Sequence, residues 1–484
     1  MAKKKAVRRP RNTPAPAEQP PLDLIEEEEF GGEFGAATTG RLIVTVMDDS
    51  AASMKAALAS LKKNAGVSNV CRMADFGVEA FEFGQAEQAD AMVMDRLNIA
   101  IIAGDADQMR KMTSMAESGE ANVVVEPEYM NYTFNNLALD EDLLDEEGVA
   151  EAAPMEGRAG VSAEFLRGYQ QAVNNLVQSM TGGGAASAGV AAIELSAAFA
   201  DTATATWGLQ ATRVLSSRFT GRGIRVAVLD TGLDLRHPDF AGRTINTQSF
   251  IPGESVQDGN GHGTHVIGTS CGSRRPGIGP RYGIAHEAEI FAGKVLSNAG
   301  SGSDGGILAG IDWAIRTRCQ VVSMSLGRAV NIGERPTQNY EMAGRRALQA
   351  GTLIVAAAGN DSSRPFMISP VSSPANAATI VAVAAVDSNL AIATFSNRGI
   401  NPAGGEINLA GPGVDVLSSW PMPRRLRSIS GTSMATPHVA GIAALLAQEF
   451  PSARGVQLYR ELRRRVRRLT LPSADVGNGL VEAI

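Results

Sequence analysis

Ser433 lies in the stretch GTSMATPHVAG (431–441), directly ahead of the apolar run VAGIAALLAQEF. A serine there ordinarily caps a helix, its oxygen accepting from an orphan backbone N–H. A chemical role asks for more. An alcohol is a weak nucleophile at neutral pH and needs a base to take its proton, and an imidazole base needs an acid that fixes its tautomer and stabilises the imidazolium. Both residue types are present, since Asp230 ends the apolar run GIRVAVLD (223–230) and His262 stands 32 residues later in GNGHGTHVIGT. Asp230, His262 and Ser433 together would suit attack of a serine oxygen on a carbonyl carbon through a covalent acyl intermediate.

Side chains so far apart in sequence need a rigid frame to meet. From Trp207 onward short apolar runs alternate with helical segments: GIRVAVLD, AEIFAGKVL (288–296), CQVVSMSLG (319–327), GTLIVAAAGN (351–360) and ATIVAVAAVD (378–387). Near-continuous apolar runs point to parallel strands covered on both faces. In such sheets sites gather at the carboxyl ends of strands, and Asp230, Gly327 and Asn360 each end one of these runs.

The full set of motifs resembles the subtilisin (subtilase) family of serine peptidases. AVLDTGLDLRHPDF is similar to that family's aspartate block, GHGTHVIGT to its histidine block, SMSLG to a substrate-binding strand, AAAGN to its oxyanion-asparagine block and SGTSMATPHVAG to its serine block. FSNRG, LAGPGVDV and GNGLVEA follow in the same order, over about residues 207–484. Asp, His, Ser is also the chain order of the subtilisin triad. The resemblance implies a subtilisin-like α/β fold, a mostly parallel sheet flanked by helices. It implies Asp230 as orienting acid, His262 as general base and acid, and Ser433 as nucleophile. It further implies an oxyanion hole from the Asn360 side chain and the Ser433 backbone N–H, and substrate contacts at Ser325, Leu326 and Gly327 through β-strand addition. Pro437 is expected in the first turn of the serine-block helix, where a missing N–H is harmless. Gly431 and Ala435 would keep bulk away from substrate backbone. His237, His265 and His438 read as structural.

Residues 41–134 resemble the propeptide-inhibitor domain that precedes many subtilases, with VVVEPEYMNYTF (123–134) similar to its closing strand. Independently of that likeness, RLIVTVMDD (41–49), LNIAIIAGD (97–105) and ANVVVEPEYMNYTF (121–134), with helical segments between them, give a split βαβ arrangement, a small α/β sandwich; the likeness makes it a ferredoxin-like α+β prodomain. Residues 1–40, a basic leader followed by LDLIEEEEF, read as a disordered tail. Residues 135–206 read as an exposed linker rich in Gly, Ala and Ser that carries one amphipathic helix near 161–180. The resemblance thus makes the chain a zymogen with its own prodomain as intramolecular inhibitor, the cut being expected in the stretch from Asn135 to Thr206.

The family's calcium site commonly draws on the aspartate matching Asp239 and a polar loop. Here that loop reads CGSRRPGIGPRYG and residue 203, where a further ligand would stand, is alanine. Arginines repel a dication, so no metal ligand is assigned and no cofactor is expected to be required. A net charge of -7 gives no electrostatic case for nucleic acid, and no apolar stretch reaches the length of a membrane span. Three scattered cysteines read as free thiols. No secretory signal is recognised, which suggests the cytoplasm or a non-standard export route. Protein or peptide is the expected substrate. An acyl-enzyme can also be intercepted by an amine, so a transpeptidase or macrocyclase is the second reading, and a non-catalytic binding protein on this fold the third.

Overall fold

The computed structural model describes residues 36–48, 50–76, 89–104, 106–118, 122–134 and 199–483. The leader up to residue 35 and the amphipathic stretch 161–180 lie outside the described residues.

The N-terminal unit runs β1 (Thr38–Val46), α1 (Ala51–Ala65), β2 (Val70–Arg72), β3 (Ala91–Met94), β4 (Ile99–Ile102), α2 (Ala106–Ser118) and β5 (Val123–Thr133). Its sheet has the order β5-β1-β4-β3-β2, with β1 antiparallel to both β4 and β5. Successive side chains of a strand point to opposite faces. Leu42, Val44 and Val46 therefore pack under the helices with Met54, Leu61 and Met112. Ile43 on the other face joins a second core with Ile307, Leu308 and Ile311 of the C-terminal unit. Burial on both faces explains why Leu42, Ile43 and Val44 are apolar in succession rather than alternating.

Two boundaries differ from expectation. β1 begins at Thr38, inside the stretch read as a disordered leader, because Thr39 and Arg41 both hydrogen-bond to Glu128 on β5. Order in the C-terminal unit resumes by Phe199, ahead of Trp207. The Phe199 N–H donates to the Ser388 carbonyl at 2.9 Å, and Asp201 Oδ1 accepts from the Trp207 N–H at 2.7 Å.

In the C-terminal unit the strands are β6 (Arg225–Asp230), β7 (Ile245–Ser249), β8 (Glu289–Lys294), β9 (Ser301–Ser303), β10 (Val321–Met324), β11 (Leu326–Gly327), β12 (Leu353–Ala357), β13 (Val381–Val386), β14 (Leu409–Pro412), β15 (Val416–Ser419), β16 (Leu426–Ile429), β17 (Val466–Arg467) and β18 (Leu480–Val481). The main sheet has the order β17-β18-β14-β13-β12-β10-β6-β8-β7 and is parallel apart from the β17–β18 pair. The helices that build the site are α3 (His262–Cys271), α4 (Asp304–Arg316), α5 (Gln338–Ala350) and α6 (Thr432–Glu449). β6 shows how the sheet is held: Val226 and Val228 pack with Val266 and Val439, while Ala227 and Leu229 pack with Ile311 and Trp313 on the opposite face. α6 is buried from Thr432 through Ala447, as expected for a helix apolar nearly all round.

Candidate active site

Asp230 is the last residue of β6 and His262 the first of α3, and both are buried. His262 Nδ1 lies 2.7 Å from Asp230 Oδ1, which also accepts from the Thr231 N–H at 2.7 Å. A residue absent from the sequence-based set fixes this corner. Asp258 Oδ1 accepts from the N–H groups of Asn260 and Gly261 at 3.0 and 2.8 Å and from Thr231 Oγ1 at 2.9 Å; its Oδ2 accepts from the Thr264 N–H at 2.8 Å. A carboxylate on the orphan donors of a helix start is favoured by their positive partial charge, so Asp258 sets where α3, and hence His262, begins.

Ser433 is the second residue of α6 and is buried. Its Oγ donates to the Ser325 carbonyl at 3.2 Å, and His262 Nε2 is buried without a hydrogen-bond partner among the described residues. Pro437 sits past the first turn of α6 rather than within it. Lacking an N–H, it cannot bond the carbonyl four residues back, that of Ser433. Ser325 Oγ donates to that carbonyl at 2.8 Å and replaces the lost bond. Ser325 therefore supports the nucleophile's backbone. Ala435 faces the core against Gly411, and bulk near the strand end is excluded by Gly431 alone of the two.

Asn360 follows β12, and its orientation is set by its neighbours. Its Oδ1 accepts from the Thr432 N–H at 2.9 Å and from Thr432 Oγ1 at 2.8 Å, which leaves Nδ2 to donate to the Phe134 carbonyl at 3.0 Å. A Cβ on Gly431 would lie 2.9 Å from that same carbonyl oxygen. Phe134 directly follows β5, which runs between two strands of the C-terminal unit. Thr133 and Tyr132 pair with Leu326 and Gly327 of β11, and Tyr132, Asn131 and Met130 pair with Ser301, Gly302 and Ser303 of β9. Gly327 is required for this approach, since its Cβ would meet the Phe134 ring at 2.8 Å and the Ser373 carbonyl oxygen at 2.1 Å. Leu326 and Gly327 thus hold an extended segment of the chain itself, and β9 holds its other flank although SGS carries no strand signature.

Three further histidines, His265, His438 and His237, make structural hydrogen bonds. His265 Nε2 donates toward the Val416 and Arg427 carbonyls at 2.9 and 3.1 Å, and burial pushes its pKa down to about 3. His438 Nδ1 donates to the Met434 carbonyl at 2.8 Å, and burial pushes its pKa down to about 4. His237 Nδ1 accepts from the Asp239 N–H at 3.2 Å. Cys271 and Cys319 are buried thiols and Cys71 is half-buried. No helix among the described residues is long and apolar enough to cross a membrane.

Asp239, the carboxylate that a family-type calcium site would draw on, has protein donors on both oxygens. The Tyr282 hydroxyl donates to Oδ2 at 2.6 Å and the Gly277 N–H to Oδ1 at 2.8 Å, and burial raises the tyrosine's pKa. A calcium ion needs six or more oxygens free to coordinate it, and this donor set does not fit one.

Residues 221–482 match the family model described as the Subtilase family of S8 peptidases. The chain is 41% identical over 298 residues to the "Thermostable alkaline protease" of Halalkalibacterium halodurans, covering 61% of this chain and 76% of that protein. It is 42% identical over 282 residues to "Subtilisin Savinase" of Lederbergia lenta, covering 57% of this chain and 96% of the relative. Among solved structures it is similar to "Sphericase", with a TM-score of 0.50 and 33% identity over 57% of this chain and 97% of that one. The chain belongs to the subtilase family. It is a subtilisin-like serine peptidase.

Proposed function

We propose that the chain is the precursor of a serine endopeptidase, that Asp230, His262 and Ser433 are its triad, and that the first bond it cuts is its own Phe134–Asn135 bond. The observation that carries this reading is the Phe134 carbonyl oxygen, 3.0 Å from Asn360 Nδ2 at the end of a strand paired on both flanks. For attack, the Ser433 hydroxyl turns from the Ser325 carbonyl to His262 Nε2 and gives up its proton there. The oxygen adds to the Phe134 carbonyl carbon, and the resulting oxyanion is held by Asn360 Nδ2 and the Ser433 N–H. Asp230 keeps the other imidazole proton on Nδ1 and stabilises the imidazolium. His262 passes its proton to the Asn135 nitrogen as the C–N bond breaks, and water then hydrolyses the acyl-enzyme along the same path.

The freed N-terminal unit stays in place as an inhibitor. Glu126 on β5 accepts from the Gln338 and Asn339 N–H groups at the start of α5, at 2.8 and 2.9 Å, and Glu128 from the Gly305 N–H at the start of α4, at 2.9 Å. Arg316 donates to the Met73 and Phe76 carbonyls at 2.8 and 2.7 Å, and Arg346 to those of Val46 and Asp48 at 2.7 and 2.8 Å. The first cut thus falls at the N-terminal border of the linker, where β5 ends, rather than in its Gly/Ala/Ser tract. The enzyme is further proposed to need no calcium at Asp239, with Tyr282 in the cation's stead. The test is a fluorophosphonate probe. It forms one adduct, at Ser433, in matured chain and none in Ser433→Ala, and protein hydrolysis disappears with it; labelling of the variant at another serine rejects the triad.

A further inference from the structure

Six residues, Tyr129 to Phe134, form the segment that enters the groove. Within it Asn131 is 0% exposed, whereas Tyr132 is 46% exposed. Asparagine is a poor strand former, and a buried carboxamide is costly unless its donors and acceptors are met. Its position is therefore explained by its partner. Asn131 Nδ2 donates to Asp304 Oδ1 at 2.7 Å. Asp304, the first residue of α4, is buried; its Oδ1 also accepts from the Tyr340 hydroxyl at 2.7 Å, and its Oδ2 accepts from the Tyr129 N–H at 3.0 Å. The carboxylate is thus anchored by a tyrosine of α5 and aimed at two groups of the bound segment, one in its backbone and one in its side chain. Asn131 Oδ1 has no partner among the described residues, so the pocket reads the amide as a donor. Beside it, the Arg328 guanidinium covers the Tyr129 ring at 4.1 Å and pairs with Glu334 at 2.8 Å.

We infer that Asp304 makes this peptidase select asparagine four residues before the bond it cuts, the P4 position, through a hydrogen bond from the side-chain amide to the Asp304 carboxylate. This rests on the register proposed above, in which Phe134 is P1. Aspartate at P4 would set one carboxylate against another, and leucine would leave Asp304 facing an apolar group.

The test uses matured wild-type enzyme and peptides with the sequence of residues 129–137, carrying Asn, Asp or Leu at the P4 position. The expected kcat/KM for Asn exceeds that for Asp and Leu by about ten- to a hundredfold, the range for one hydrogen bond to a charged group. In Asp304→Leu the order of Asn and Leu inverts. In Tyr340→Phe, which keeps Asp304 but removes its anchor and guards against a folding failure of the first variant, the Asn-over-Leu ratio falls without inverting. Equal rates for Asn and Leu in wild type, with cleavage after Phe, would overturn the role of Asp304 and leave the register standing. Cleavage of the parent peptide at another bond, read from the product termini, would overturn the register and this inference with it.

Discussion

Ser433 depends on groups that do no chemistry themselves. Pro437 removes one helical hydrogen bond, Ser325, between β10 and β11, supplies a replacement, and Thr432 turns the Asn360 amide so that its NH2 faces the Phe134 carbonyl. Asn360→Ala should lower kcat by roughly 10²- to 10³-fold with KM little changed, a magnitude carried over from the corresponding donor of a subtilisin, because the donor acts mainly in the transition state. Steady-state kinetics on a peptide substrate would show it, and a KM effect at constant kcat would contradict the assignment. Ser325→Ala should cost about 1–3 kcal/mol of stability by leaving the Ser433 carbonyl buried and unpaired. Denaturant unfolding of the variant built on Ser433→Ala measures this without self-digestion.

At the scale of elements, the sequence made the parallel strands and the residues at their carboxyl ends readable, because both follow from runs of adjacent residues. Asp230, Gly327 and Asn360 end such runs, whereas His262 and Ser433, at helix starts, and Leu326 are picked out by the likeness of their motifs to a family. What stayed hidden was set by partners far along the chain. Asp304 and Asn131 are 173 positions apart, β1 gains its first residues only by meeting Glu128, and the strands AMVM and SGS are too short to show a period. Asp258 carries no motif of its own, and its role lies in its hydrogen bonds to the start of α3. The loop after α3 carries its own prediction. With Tyr282 and the Gly277 N–H on Asp239, chelation by EDTA should leave the melting temperature of Ser433→Ala unchanged. Tyr282→Phe should cost about 1–3 kcal/mol, and added calcium should not restore it. A large fall with EDTA, reversed by calcium alone, would contradict this.

At the scale of the whole molecule, the interface between the two units holds buried carboxylates, which predicts that their association depends on pH. Asp312 on α4 accepts from the Arg96 N–H at 2.8 Å, and burial, with Asp95 adding to it, pushes its pKa up to about 7 against the opposing pull of Arg316 and Arg96. Burial raises Asp304 and Glu126 as well. An acid whose pKa is higher in the docked form favours docking at acid pH, and that contribution is lost as pH rises from the ordinary carboxylate range through about 7. The melting temperature of full-length Ser433→Ala should therefore fall from pH 5 to pH 8. Asp312→Asn, which keeps the acceptor and removes the charge, should flatten the profile and melt on the order of 2–4 °C higher at pH 8; an unchanged profile would assign the dependence to other groups.

The central claim, that β5 presents the Phe134–Asn135 bond to Ser433, is tested most directly by intact mass and N-terminal sequencing of the purified full-length chain over time. Wild type should yield a first C-terminal fragment beginning at Asn135, with the N-terminal portion ending at Phe134 retained in complex, and Ser433→Ala should remain uncut. A wild-type chain that hydrolyses protein at full length, or whose first fragment begins at any other residue, would contradict the account.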